Sequence, residues 1–404
     1  IKWRNKYLIF KCLPFGLATA PKIYNKFADG LKWSCDYHKT NLFYNKVSKS
    51  SNVEHYLDDY VGGANNKTTA QKQMDYLSNL FKYLNIPTSE RKCKGPFKTI
   101  DVLGWTFSTI TILTISLTLN KRNKYLNYIK NIIKDNYTSI KIYEKLIGYT
   151  RHCIYIIPNA KPFVRGFDLH KQQLIKVANT TPYINDNTKF KISRESKYDL
   201  NIWEGLLSNI DNYTLPLKYI IKPKSLPTIK VWTDATTTIG FGGFTSNGYY
   251  FKNQWKSLNL PKLFKRHQDK IINTLEMSAL VLAADLFAKN WQHHFIMFYC
   301  DNMTAVKATT KGSVKLSSDY LYPMANLTKY LAILSLKYQF KYECFHIEGK
   351  NNDIADALSR NYDNPLNYFQ INLPKIKFNN SPSRCSQKME NLINKTFKFN
   401  FSKN

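Results

Sequence analysis

Asp58 and Asp59 are adjacent carboxylates set between two short apolar stretches, Val53 to Leu57 and Tyr60 to Gly63. The pattern predicts a β-hairpin whose tip carries both charges. Like charges side by side repel, so the pair gains from a neutralising cation. A hard divalent ion such as Mg²⁺ binds through carboxylate oxygens and also recruits phosphate groups. A bare Asp-Asp serves equally as an acidic turn in solvent, so the flanking residues carry the argument. Upstream lies Leu13-Pro14-Phe15-Gly16-Leu17-Ala18-Thr19-Ala20-Pro21, followed by a helical run from Lys22 to Leu31. Gly16 permits close approach of backbone to a ligand, and the helix can present a face to a nucleotide or a template strand. Downstream come Ser89-Glu90-Arg91-Lys92-Cys93 and then Val102-Leu103-Gly104-Trp105.

A second set of carboxylates is spread over residues 228–360. A strand from Ile229 ends at Thr233-Asp234-Ala235, and two further strands begin at Gly240 and Gly248. A helix beginning at Asn273 holds Glu276 in its first turn, the apolar strand Phe295 to Cys300 delivers Asp301, and a short helix over 351–360 carries Asp356. Two strand-end carboxylates and two helix carboxylates can converge at one sheet edge, where two Mg²⁺ ions about 4 Å apart would activate a water and stabilise the leaving oxygen of a phosphodiester. Taken singly, each residue reads as a cap or a surface acid; their order together favours the site. Asp353 competes with Asp356 for the fourth place, Asp269 and Asp285 read as solvated, and His293-His294 reads as a helix-to-strand turn. His346, beside Glu348, is set aside as a proton shuttle, and Ser359 reads as structural.

The first set, LPFGLATAP, YLDD, Lys92-Cys93 and VLGW in this order, resembles the palm of retroelement reverse transcriptases. The second, TDA, the Glu276 helix, CDN and ADALSR, resembles the ribonuclease H that follows that palm in the same elements. The two cover about 360 residues, and the wording resembles the DIRS-type branch first and the Ty3/gypsy-like branch second. The resemblance implies an RNA-directed DNA polymerase with ribonuclease H. Asp58 and Asp59 would bind Mg²⁺ at the primer end, and Phe15 and Gly16 would border the incoming nucleotide. Lys92 would lie on the nucleotide-binding side, and Asp234, Glu276, Asp301 and Asp356 would hold two further Mg²⁺ or Mn²⁺ ions. Implied partners are RNA, DNA, their hybrid and deoxynucleoside triphosphates. The family's third palm carboxylate precedes LPFG, and no Asp or Glu stands before Leu13. The expectation is therefore an N-terminally truncated chain that does not polymerise DNA by itself; the alternative is a non-catalytic nucleic-acid-binding remnant of a decayed element.

The elements that hold these residues follow from pattern and composition. The expected fold is α/β and α+β, multidomain: a partial palm of antiparallel sheet with helices over 1–119, a helical thumb-like region over 120–210 with a linker near 177–199, a ribonuclease H-like α/β domain over 228–360, and a basic, flexible tail over 361–404. Helices are expected from Lys121 to Asp135, from Ile140 to Tyr155 and from Leu200 to Ile210, with Trp203 in a core. The alternation of Thr with Ile or Leu from Thr109 to Leu119 predicts a strand. A net charge of +31 points to a polyanionic partner, although abundant Lys, Asn, Tyr, Ile and Phe also reflect an AT-rich coding bias. Some of the 28 tyrosines and 24 phenylalanines can stack on bases. Seven scattered cysteines without a C-x-x-C pair argue for reduced thiols. No apolar run of about 18 residues and no signal-peptide layout is present, which predicts an intracellular chain, in nucleus or cytoplasm, without a membrane partner.

Overall fold

Residues 2–7, 13, 16–37, 51–210, 216–255, 271–312 and 321–360 are described by a computed structural model. The tail 361–404, Phe15 and Asp269 lie outside the described residues. The chain divides into two units, residues 1–112 and 113–404.

In the first unit, a two-residue ribbon of β1 (Lys2–Trp3) and β2 (Lys6–Tyr7) precedes α1 (Ala20–Tyr37). This helix begins earlier and runs longer than its apolar spacing suggested. Then β3 (Ser51–Tyr56) and β4 (Asp59–Ala64) pair antiparallel as the expected hairpin. Next come α2 (Lys67–Tyr83), capped by the Asn66 side chain accepting from the Thr69 N–H, and the hairpin of β5 (Thr99–Val102) and β6 (Trp105–Ser108).

The second unit starts with β7 (Thr114–Leu117). The strand expected over 109–119 is confined to these residues; Ile110 and Ile112 are exposed in a bend, and their alternation buries nothing. A helical layer follows: α3 (Leu119–Asp135), the short β8 (Tyr137–Thr138), α4 (Ile140–Cys153), α5 (Pro162–Thr180), β9 (Phe190–Lys191) and α6 (Arg194–Ser208). Thr118, Ser139 and Ser193 cap α3, α4 and α6 through their hydroxyls. Of the linker expected near 177–199, both ends are helical. Its first residues extend α5 to Thr180, and its last belong to α6, where Ser196 and Asp199 are buried. Trp203 is in the core, as read from the sequence.

After α7 (Leu217–Ile221) comes a five-stranded sheet made of β10 (Thr228–Ala235), β11 (Gly240–Thr245), β12 (Tyr250–Gln254), β13 (Phe295–Cys300) and β14 (Lys341–His346). The strand order is β12-β11-β10-β13-β14. The first three strands form an antiparallel meander, while β13 runs parallel to β10 and β14 parallel to β13. The crossovers are α8 (Ile272–Phe287) between β12 and β13, and α9 (Met303–Lys311) with α10 (Leu321–Tyr338) between β13 and β14. Because α8 is apolar on nearly all sides, it is buried between the sheet and α10. The main core joins Leu275, Ala279 and Leu282 to Val231, Phe298 and Leu331. On the other face, α11 (Asp353–Ser359) packs Ile354, Ala355 and Leu358 against Phe244 and Tyr250. A Cβ on Gly242 would lie 2.7 Å from the Leu358 carbonyl carbon, so this close approach needs glycine.

Helical layer and sheet lie within one compact unit, residues 113–404. Asn159 donates to the Phe340 carbonyl at 3.0 Å, and both Asp199 carboxylate oxygens lie 2.7 Å from Lys329 Nζ on α10. Asp285, expected in solvent, is half-buried and accepts from the Tyr330 hydroxyl at 2.6 Å.

Candidate active site

In the first unit the Asp pair occupies the tip of the β3–β4 hairpin. Tyr56 faces Asp59 across the ladder, leaving Leu57 and Asp58 as a two-residue turn. Leu57 has φ 53, a conformation that a bulky side chain adopts only under strain. Asp58 and Asp59 are both exposed. The hairpin is fixed to α1 by His55 Nε2 to Asp29 Oδ1 and by Lys32 Nζ to Glu54 Oε1, each 2.9 Å. Tyr24, also on α1, has its hydroxyl pKa raised by partial burial and then by the negative Asp58. Gly16 sits in an exposed turn with φ 85 and open space where a Cβ would be. Lys92 closes a short exposed 3₁₀ turn, 90–92. Among the described residues, these carboxylates do not join a third His, Cys, Asp or Glu in a cluster able to hold a metal.

In the second unit, the sheet delivers carboxylates to one edge. The parallel strands β10 and β13 end beside each other, so Asp234 and Asp301 emerge at their carboxyl ends, the edge at which open α/β sheets bind ligands. Glu276 reaches the same edge from α8, where its Oε1 accepts the Ala235 N–H at 3.3 Å. Asp234 and Glu276 are 5% and 4% exposed, buried too deeply for ordinary surface acids. Burial pushes the Asp234 carboxyl up to about 6; the neighbouring Asp301 and Asp356 charges add to the rise, and a bond from Ser359 partly opposes it. Glu276 is raised well above its usual range by burial, then by Asp234 and Asp301. Asp301 is raised by burial, with Asp356 adding to the rise. Three acids thus lie near one another where burial disfavours their ionisation unless a cation enters. Their oxygens are the hard donors that Mg²⁺ or Mn²⁺ accepts, so the residues fit such an ion.

Asp356 lies close enough to raise its neighbours electrostatically, but its carboxylate is paired with Arg360, with Nε–oxygen distances of 2.8 and 2.9 Å. Asp353 instead binds the Ile354 N–H at the start of α11. His293 has φ 58 in the turn before β13, and His294 bonds the Gln292 carbonyl, as a helix-to-strand connection requires. His346 Nε2 lies 3.1 Å from the Asp301 carbonyl oxygen.

The sequence reading passed over two contributors. Cys300, the last residue of β13, places Sγ 3.7 Å from Glu276 Oε2. Asn352 is buried and donates to the Thr233 carbonyl at 3.1 Å, tying α11 to β10. Cys300 was concealed as one apolar position of FIMFYC, whereas Asn352 stands in the NND run that opens α11.

Residues 1–107 match the family model for reverse transcriptase (RNA-dependent DNA polymerase). This bears out, for that segment, the resemblance carried by LPFGLATAP, YLDD and VLGW. The sheet site of the second unit lies outside the matched segment. No curated protein matches the chain. Among the described residues, no helix is long and apolar enough to cross a membrane.

Proposed function

We propose that this chain is the reverse transcriptase–ribonuclease H portion of a retrotransposon polypeptide, DIRS-type in preference to Ty3/gypsy-like. Its second unit hydrolyses the RNA strand of an RNA–DNA hybrid inside the cell. The observation that carries the second part is the convergence of Asp234, Glu276 and Asp301 at the carboxyl edge of the parallel strands, with all three acids raised by burial. Asp234, Glu276 and Asp301 would hold two Mg²⁺ or Mn²⁺ ions, and Asp356 would join them by leaving Arg360. Bound metal supplies an activated water and stabilises the leaving oxygen. The net charge of +31 supports retention of a duplex through its phosphates, so cleavage has little base preference. In the first unit, Asp58 and Asp59 would bind metal at the primer end, Phe15 and Gly16 would border the deoxynucleoside triphosphate, and Lys92 would flank it.

The test is cleavage of a labelled RNA–DNA hybrid in Mg²⁺ by the full chain and by Asp234→Asn and Asp301→Asn. Metal-dependent cleavage lost in both variants, with hybrid binding retained, is the expected result. A folded wild-type chain that binds hybrid without cutting it would refute hydrolysis and leave a nucleic-acid-binding remnant.

A further inference from the structure

A thiol lies among the acids of the sheet site. Cys300 is fully buried, and its Sγ lies 3.7 Å from Glu276 Oε2 while accepting the Asn302 N–H at 3.4 Å. One ligand atom each from Glu276, Cys300 and Asp301 lies within 4.8 Å of the other two. Mg²⁺ makes no use of sulfur, whereas d¹⁰ divalent ions favour it. With metal–sulfur bonds near 2.3 Å and metal–oxygen bonds near 2.1 Å, tetrahedral ligands stand about 3.5 Å apart. The Sγ–Oε2 separation of 3.7 Å is already close to that edge.

A second observation is independent of the acids. Trp232 on β10 pairs with Tyr299 on β13, so the next rung sets Thr233 beside Cys300. By strand alternation both lie on the side of Val231 and Phe298, the side packed against α8. Thr233 is completely buried, and its Oγ1 has no hydrogen-bond partner. A buried hydroxyl left unpaired is costly unless a ligand or a metal-bound water meets it.

We propose that Glu276, Cys300 and Asp301 form a site for a thiophilic divalent cation, Zn²⁺ or Cd²⁺, whose fourth ligand is a water bonded to Thr233 Oγ1. Binding forms a metal–sulfur bond, breaks the S–H bond and releases its proton to the buffer; no electrons are transferred. The ion then occupies two carboxylates assigned above to Mg²⁺, so it antagonises hydrolysis. That consequence rests on the proposed function, whereas the binding does not.

The experiment is a Cd²⁺ titration of the reduced full chain, followed by the ultraviolet thiolate-to-cadmium charge-transfer band. Wild type is compared with Cys300→Ser, Glu276→Gln and the exposed-thiol control Cys93→Ser. Cys300→Ser is expected to bind one equivalent fewer than wild type. Glu276→Gln, which keeps the thiol, is expected to bind that equivalent at least tenfold more weakly. Cys93→Ser is expected to keep the equivalent, and Zn²⁺ to displace it. An unchanged stoichiometry in Cys300→Ser overturns the proposal; should that variant unfold, unchanged affinity in Glu276→Gln overturns it. Failure of hydrolysis is read separately, in the hybrid-cleavage assay.

Discussion

Replacing Lys329 by Met removes the ammonium that faces Asp199 between α10 and α6. Asp199 is 0% exposed, and both its oxygens lie 2.7 Å from Lys329 Nζ. Breaking a buried pair by deleting one partner costs about 3–5 kcal/mol, because the remaining charge stays buried without compensation. The loss has a pH signature. Burial already pushes Asp199 up to about 7 against Lys329, which lowers it. A carboxyl whose folded pKa is raised contributes stability that is fully present below about 4 and is lost as pH rises through the folded value. Without Lys329 the folded value rises further, so the deficit of Lys329→Met is largest at pH 8 and smallest near pH 5. Urea denaturation of the full chain, followed by tryptophan fluorescence at both pH values, measures it. Asp199→Asn combined with Lys329→Met should recover most of the loss. A Lys329→Met chain within about 0.5 kcal/mol of wild type at pH 8, or a loss identical at both pH values, would refute the assignment of this pair as the clamp between α6 and α10.

Four further outcomes follow from geometry already described. In EDTA, wild-type thermal stability should fall as pH rises from about 4 through about 6, the window of the raised Asp234 carboxyl. Glu276→Gln should raise the melting temperature at pH 8 in EDTA and reduce the gain on adding Mg²⁺, as seen by calorimetry. Gly242→Ala drives a methyl into Leu358 and should cost about 1–3 kcal/mol; by displacing α11 and Asp356 it should also slow hybrid cleavage, read as initial rate at saturating Mg²⁺. Leu57→Gly relieves a positive φ worth about 1–2 kcal/mol and should slow amide exchange in the β3–β4 hairpin.

How far the residues announce their arrangement depends on the range of the interactions that fix it. The hairpin at Asp58 and the strand Phe295–Cys300 are legible because their signals are local: turn residues between apolar runs, and a β-rich stretch ending at a polar residue. Strand β14 is not, since Lys341, Glu343 and His346 break up an inward set consisting only of Tyr342 and Cys344. Asp199 looks like the end of a polar linker until Lys329, far along the chain, comes to meet it. The same distance effect conceals Cys300, an ordinary small apolar residue in sequence that only the approach of α8 turns into a neighbour of Glu276. Gly242 and Gly243 signalled a strand, whereas the reason for the first lies in α11, more than a hundred residues onward.

The strand order has a consequence for the growing polypeptide. The meander β10-β11-β12 is contiguous in sequence, so its hairpins can close while synthesis continues. The parallel partners β13 and β14 arrive only after their crossover helices. A nascent chain ending at residue 290 holds Asp234 and Glu276 but no strand to bring Asp301 beside them. The acidic cluster is therefore among the last features completed, and an unfinished chain gathers only part of its carboxylate charge before emergence of the segment through residue 356.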